Sequence, residues 1–168
     1  MTPHSPSLDG EIRDGCHVMA VRVYYEDTDF TGIVYHANYL RFMERGRTNY
    51  LRLIGADHRA LFEAADREAP GFAFVVRSMA IEFLRPARMD DVLDVVTAPV
   101  EVKGASMMLR QTVMRGAEVL VEARVRVAFV SGGRARPMPS SSISPSMISA
   151  PAMPKRTIPW CPSLTMTA

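Results

Sequence analysis

Tyr24-Tyr25-Glu26-Asp27-Thr28-Asp29-Phe30-Thr31-Gly32-Ile33-Val34-Tyr35-His36-Ala37-Asn38-Tyr39-Leu40 is the stretch on which the reading of this chain turns. It leaves an alternating strand, breaks at an acidic cluster, turns at a glycine and enters a helix through a histidine. Carboxylate, glycine and imidazole converge on one strand-to-helix junction. At such a junction acid–base groups and the amides of a helix N-terminus can face one small substrate.

Upstream, Val18-Met19-Ala20-Val21-Arg22-Val23-Tyr24-Tyr25 favours a strand through its β-branched and aromatic residues. Residues 1–17 hold Pro3, Ser5, Pro6, Ser7 and Gly10 and read as a flexible arm. Downstream, residues 28–37 form a loop and Asn38 is placed to cap a helix over 39–54. Tyr39, Met43, Gly46, Tyr50 and Leu53 make its apolar stripe, with arginines and Glu44 on much of the rest. Gly46 costs the helix about 1 kcal/mol relative to Ala, so its expected compensation is close approach to another element. Gly55 fits the C-terminal stop. A shorter helix is expected over 57–67.

Only strand-like segments follow, over 72–84, 92–102, 106–114 and 119–130, punctuated by Arg-Pro, Met-Asp-Asp, Lys-Gly and Arg-Gly. In the last, Val121, Ala123, Val125, Val127 and Phe129 alternate with Glu122, Arg124, Arg126 and Ala128, which is the period of a strand with one buried face. Strand, long helix and then a run of strands define an α+β domain over 18–137, with a helix packed on an antiparallel sheet. From 138 to 168 the chain holds no acid, its only charges are Lys155 and Arg156, and Ser, Pro and Met dominate. This composition reads as a low-complexity, disordered tail. The abrupt change also fits out-of-frame coding, which translating the other two frames of the gene past codon 131 would test.

The 168 residues suffice for one domain with a real core, and 48% hydrophobic with 23% charged residues is a globular balance. A net charge of +2 calls for no nucleic acid and no anionic membrane surface. Cys16 and Cys161 sit near opposite ends without metal-like spacing and are expected as free thiols, with a bridge between the two ends as the lesser alternative. Residues 1–20 carry Asp9, Glu11, Arg13 and Asp14 and no apolar run, so neither a signal peptide nor membrane insertion is expected, and a cytoplasmic location follows as the default. P-loop, GxGxxG, HExxH and Gly-x-Ser-x-Gly motifs are absent, and no Cys/His cluster points to a metal or cofactor.

The block from Val23 to Arg47 resembles the active-site signature of hot-dog-fold acyl-CoA thioesterases of the 4-hydroxybenzoyl-CoA thioesterase type, and within it those associated with the Tol-Pal envelope system. Phe74-Val75-Val76-Arg77 and Phe83-Leu84-Arg85-Pro86-Ala87-Arg88-Met89-Asp90-Asp91 resemble two further segments of that family. The resemblance implies a five-stranded antiparallel sheet wrapped around one long helix, and dimers or tetramers with active sites at the subunit interface. It implies hydrolysis of a short-chain or aromatic acyl-CoA to the free acid and CoA, without a metal or other cofactor.

On that resemblance Asp29 is the catalytic carboxylate, acting either as nucleophile or as general base on water. Gly32 allows the turn and close substrate approach. An amide near His36 is placed to bind the thioester oxygen, where a helix N-terminus favours developing negative charge. The His36 side chain can orient Asp29 or water, or protonate the thiolate. Tyr35 and Asn38 lie beside the site, and Lys103 and Ser106 align with positions near the nucleotide of CoA. Glu26 and Asp27 are read as support, on opposite faces of a strand end. Glu44 and Arg47 are read as an ion pair on a solvated helix face. Met107, Met108 and Met114 could shape an acyl pocket or fill the core, whereas His4, His17 and His58 belong to no constellation. Two rival functions share these features: a hot-dog enoyl-CoA hydratase or dehydratase, and a non-catalytic acyl-CoA-binding or envelope-associated scaffold.

Overall fold

A computed structural model describes residues 8–54, 72–131 and 134–135. The helix expected over 57–67, the tail from 138 and Cys161 lie outside the described residues. The elements are β1 (Glu11–Arg13), β2 (Cys16–Arg22), α1 (His36–Leu53), β3 (Phe72–Phe83), β4 (Val92–Lys103), β5 (Ser106–Arg115), β6 (Glu118–Ser131) and β7 (Arg134–Ala135). They form one antiparallel sheet in the order β1-β2-β4-β5-β6-β3, with β7 paired to β6. This is the expected α+β hot-dog arrangement. The five expected strands are present and two short ones extend the sheet.

The sheet curves around α1 because one face of each long strand is apolar. On β6, Val121, Ala123, Val125, Val127 and Phe129 are buried while Glu122 and Arg124 are exposed, as the period requires. α1 turns Tyr39, Phe42, Met43 and Tyr50 into one cluster with Leu93, Val95, Leu109, Val113 and Leu120. Each large side chain taken out of water contributes about 1.5–3 kcal/mol. That outweighs the roughly 1 kcal/mol that Gly46 costs the helix. Gly46 itself is the seat of the helix on the sheet. A Cβ there would lie 3.0 Å from Val95 Cγ1 and 3.1 Å from Thr97 Oγ1, so any larger residue would force these neighbours to give by a few tenths of an ångström.

Beside this seat, Gln111 on β5 is wholly buried and fully used. Its Nε2 donates to the Met43 carbonyl and to Thr97 Oγ1, both at 2.8 Å, and its Oε1 accepts from Arg47 Nη1 at 2.7 Å. Arg47 is therefore turned inward, which corrects the expected solvated Glu44–Arg47 pair. Glu44 instead accepts from Thr48 Oγ1 at 2.7 Å. Desolvation lowers the Arg47 pKa, and the charge of Glu44 partly offsets it.

Two boundaries and one cysteine differ from expectation. β2 ends at Arg22, and Tyr25–Asp27 is a turn of 3₁₀ helix, so the strand alternation invoked for Glu26 and Asp27 does not apply. α1 starts at His36, with Tyr35 rather than Asn38 in the cap position. Cys16 is buried and disulfide-bonded, not a free thiol. Among the described residues no helix is long and apolar enough to cross a membrane.

Candidate active site

The site lies at the end of the sheet where Arg22 pairs with Val92 and Phe83 with Val121. After β2 the chain is pinned at the buried Val23, whose N–H donates to the Asp91 carbonyl at 2.9 Å and whose carbonyl accepts from the Asp90 amide at 3.0 Å. Asp27 then organises the turn. Its Oδ2 accepts from the Tyr24 amide at 2.9 Å, and its carbonyl accepts from the Tyr35 amide at 2.9 Å and Asn38 Nδ2 at 2.8 Å. The 3₁₀ turn is thus tied directly to the first turn of α1.

Between those two ties runs a tight hairpin. Thr28 and Val34 form a bridge, the Asp29 amide donates to the Ile33 carbonyl, and the Gly32 amide donates to the Asp29 carbonyl, both at 2.9 Å. Gly32 has φ +77°, a left-handed conformation that favours glycine. The hairpin is sewn to the segment after β3 by an Ile33–Arg88 bridge and a 2.9 Å bond from the Val34 amide to the Ala87 carbonyl. Tyr39 secures that segment from the helix side, its buried hydroxyl oxygen accepting from the Ala87 amide at 2.8 Å.

Asp29 sits at the tip of this hairpin with its carboxylate exposed. Oδ1 accepts from Thr31 Oγ1 at 2.5 Å and from the Thr31 amide at 2.8 Å. These two bonds, the hydroxyl first, hold the Asp29 carboxyl below its ordinary pKa, and the nearby His36 adds a smaller pull the same way. His36 opens α1, where the first amides have no intrahelical acceptor and carry the positive end of the helix dipole. Its exposed imidazole lies 4.4 Å from the Tyr35 ring and 6.2 Å, edge-on, from Phe83. Asp29, Gly32, Tyr35 and His36 are therefore brought together.

Asn38 is brought to the same place but is buried, with its side-chain amide engaged by Asp27. It neither caps α1 nor offers that amide to a ligand; it positions the turn. Lys103 and Ser106 are not brought to the site. They face each other across the β4–β5 turn, and β5 must run from Ser106 to Arg115 to reach the Asp29 end, roughly 30 Å of extended chain. Lys103 Nζ pairs there with Glu101 at 2.6 Å. Met107 and Met114 are buried in two different clusters, so they do not converge on one pocket.

Thr31 and Phe83 are the residues that sequence reasoning did not place at the site. The Asp-x-Thr spacing is a signal for Thr31, because an Asp side chain commonly takes the backbone amide two residues on. Phe83 has no comparable local signal. Among the described residues no group of three or more His, Cys, Asp or Glu side chains could hold a metal ion. An exposed carboxylate near an imidazole that opens a helix can attack a carbonyl or activate water against it, and the amides of a helix N-terminus favour the developing oxyanion.

Comparison with known proteins bears on the family and the fold. A model of the thioesterase-like superfamily matches residues 23–153. An acyl-CoA thioesterase of Haemophilus influenzae, YbgC, is 46% identical over 118 residues, covering 70% of this chain and 83% of that protein. The crystal structure of a probable thioesterase from Bartonella henselae superposes with a TM-score of 0.68 at 40% identity, covering 74% of this chain and 99% of the other. The 4-hydroxybenzoyl-CoA thioesterase of a Pseudomonas strain shares the fold, with a TM-score of 0.66 at 24% identity over 76% of this chain and 96% of its own.

Proposed function

The chain belongs to the thioesterase-like superfamily, and from that premise we propose that it is an acyl-CoA thioesterase in which Asp29 and the first amides of α1 hydrolyse the thioester to a free acid and CoA. The observation that carries the assignment of residues is the exposed Asp29 carboxylate, held on Oδ1 by Thr31 and near enough to His36, at the start of α1, to feel its charge. The thioester oxygen docks on those amides. Water, its proton taken by Asp29, adds to the carbonyl carbon, or Asp29 itself adds and the resulting anhydride is hydrolysed. In both routes the C–S bond breaks, and His36 is the group at hand to protonate the departing thiolate.

The half-exposed rings of Tyr35 and Phe83 flank His36 and suit a short-chain or aromatic acyl group. Among the described strands β3 lies at the sheet edge, and its exposed Val75 and Val76 favour pairing with a second copy. Assembly into a homodimer or homotetramer belongs to this reading, because Lys103 and Ser106 can reach CoA phosphates only from another protomer. A link to the Tol-Pal envelope system rests on the family resemblance, and a cytoplasmic location belongs to this reading as its default.

Free-thiol release from a panel of acyl-CoAs tests the activity. Asp29→Asn is expected to lower it by about 10²- to 10⁴-fold while the protein stays folded. Undiminished turnover in Asp29→Asn takes Asp29 out of the mechanism. Tight CoA binding without any thiol release would move the protein to the non-catalytic binder.

A further inference from the structure

Asp29 stands at the tip of an exposed hairpin, and among the described residues no ion pair holds it. A side chain so placed would ordinarily sample several rotamers. Here one residue supplies both of its restraints. The Thr31 amide at 2.8 Å and the Thr31 hydroxyl at 2.5 Å converge on the same oxygen, Oδ1. The hydroxyl distance is that of a charge-assisted O–H···O⁻ bond, about twice as strong as a neutral one. Two donors on one oxygen fix the plane of the carboxylate and leave Oδ2 as the oxygen available for chemistry. The hairpin that carries both residues is itself clamped by the Thr28–Val34 and Ile33–Arg88 bridges, so the donor pair is rigid.

We propose that Thr31 is a positioning residue of the hydrolysis, its amide and hydroxyl locking Oδ1 of Asp29 so that Oδ2 is presented to the thioester or to water. This rests on the reading of Asp29 as the reacting carboxylate. The hydroxyl does two separable things. It orients the carboxylate, which acts on kcat, and it favours the charged form, which acts on the acid limb of the pH profile. The amide alone would remain in any variant other than proline, so the side chain can be tested without dismantling the turn.

The sign follows from the direction of the Asp29 shift. Its carboxyl is held low chiefly by the Thr31 hydroxyl, so the reactive anion persists to lower pH than an ordinary aspartate allows. Removing the hydroxyl raises that pKa, and activity must then be lost at a higher pH as acid is added.

The test is a pH profile of kcat and kcat/KM for the full-length protein and for Thr31→Val, Thr31→Ser and Asp29→Asn. Thr31→Val is expected to lower kcat on the order of tenfold and to move the acid limb to higher pH, with the melting temperature unchanged. Thr31→Ser is expected to restore both. Thr31→Ala repeats the test on a smaller side chain if the valine variant does not fold. A Thr31→Val or Thr31→Ala enzyme with wild-type kcat and acid limb overturns the positioning role, and an inactive Asp29→Asn in the same series leaves the thioesterase mechanism standing. A fully active Asp29→Asn overturns that mechanism and the inference with it.

Discussion

Two stretches of α1 are built on opposite principles. Where the chain enters it, Asp29, Tyr35 and His36 are exposed, and position is set by hydrogen bonds with loops: Asp27 holds Tyr35 and Asn38, Ala87 holds Val34, and Thr31 holds Asp29. Ten residues further along, at Gly46, the chain is buried and position is set by packing against Val95 and Thr97, with Gln111 satisfying every polar atom it can. An exposed hydrogen bond exchanges one partner for water and is worth little net stability, whereas a buried group left without its partner carries the full desolvation cost. The helix therefore separates two tasks. Its buried middle anchors the fold, and its open end carries reactive groups whose alteration costs rate rather than folding.

The sharpest way to break this division is to change one residue in each place. Asp29→Asn should lower turnover by about 10²- to 10⁴-fold and leave the unfolding midpoint where it was. Gly46→Leu should do the reverse. Its side chain must displace Val95 and Thr97, so it should destabilise by about 1–3 kcal/mol or more, with the surviving folded fraction turning over normally. A large drop in melting temperature for Asp29→Asn, or a folded but inactive Gly46→Leu, would show that the two ends are coupled through the helix.

A smaller loss comes from Gln111→Leu, which takes the Oε1 partner from the Arg47 guanidinium and one donor from the Met43 carbonyl. The expected cost is about 1–3 kcal/mol, read as a lower urea midpoint with the slope unchanged. A midpoint equal to wild type would mean that water reaches Arg47 and that the seat is less buried than its packing implies.

How much of this was legible depends on whether the signal is local. The period-two strands and the apolar stripe of α1 are written in consecutive residues, and so is the anomaly of a glycine in mid-helix, which its approach to Val95 explains. The turn at Gly32 ahead of the helix was also readable, although the hairpin around it was legible only as a loop. The start of α1 was not, because exposed His36 and half-buried Ala37 add nothing to an apolar stripe that begins at Tyr39. Asn38 consequently looked like a cap. The inward turn of Arg47 depends on a glutamine 64 residues away, and the distance of Lys103 from Asp29 depends on the strand pairing. Neither is contained in any window of sequence.

The least of the expected effects concerns the far end of the helix and sharpens the comparison through acid. His17 on β2 is wholly buried, its ring 6.4 Å from that of Tyr50 on α1. Nε2 lies 2.7 Å from the Asp9 carbonyl, which can only accept, so Nε2 carries the proton. Nδ1 is left buried with no partner among the described residues. Charging this ring would place a second N–H where nothing accepts it, and desolvation accordingly lowers its pKa from 6.5, with Asp9 pulling weakly the other way. The other ionisable groups around it do not reverse this. The Asp9 carboxylate accepts from Arg52 at 3.1 Å, and burial pushes the Tyr50 hydroxyl up to about 12, so it stays neutral. Because the folded pKa lies below the unfolded one, the unfolded chain takes up the proton first. The stability His17 contributes is whole above pH 6.5 and is lost as pH falls from there through the folded value. Over the same interval Asp29, held low by Thr31, remains ionised. Between neutral pH and mild acid the buried side of the helix should therefore weaken while its catalytic end keeps its charge. Urea midpoints of the wild type and of His17→Gln, which keeps an amide donor for Asp9 but cannot be charged, should diverge as pH is lowered, with the flatter dependence in the variant. Parallel slopes would mean that His17 takes its proton in the folded protein as easily as in the unfolded chain.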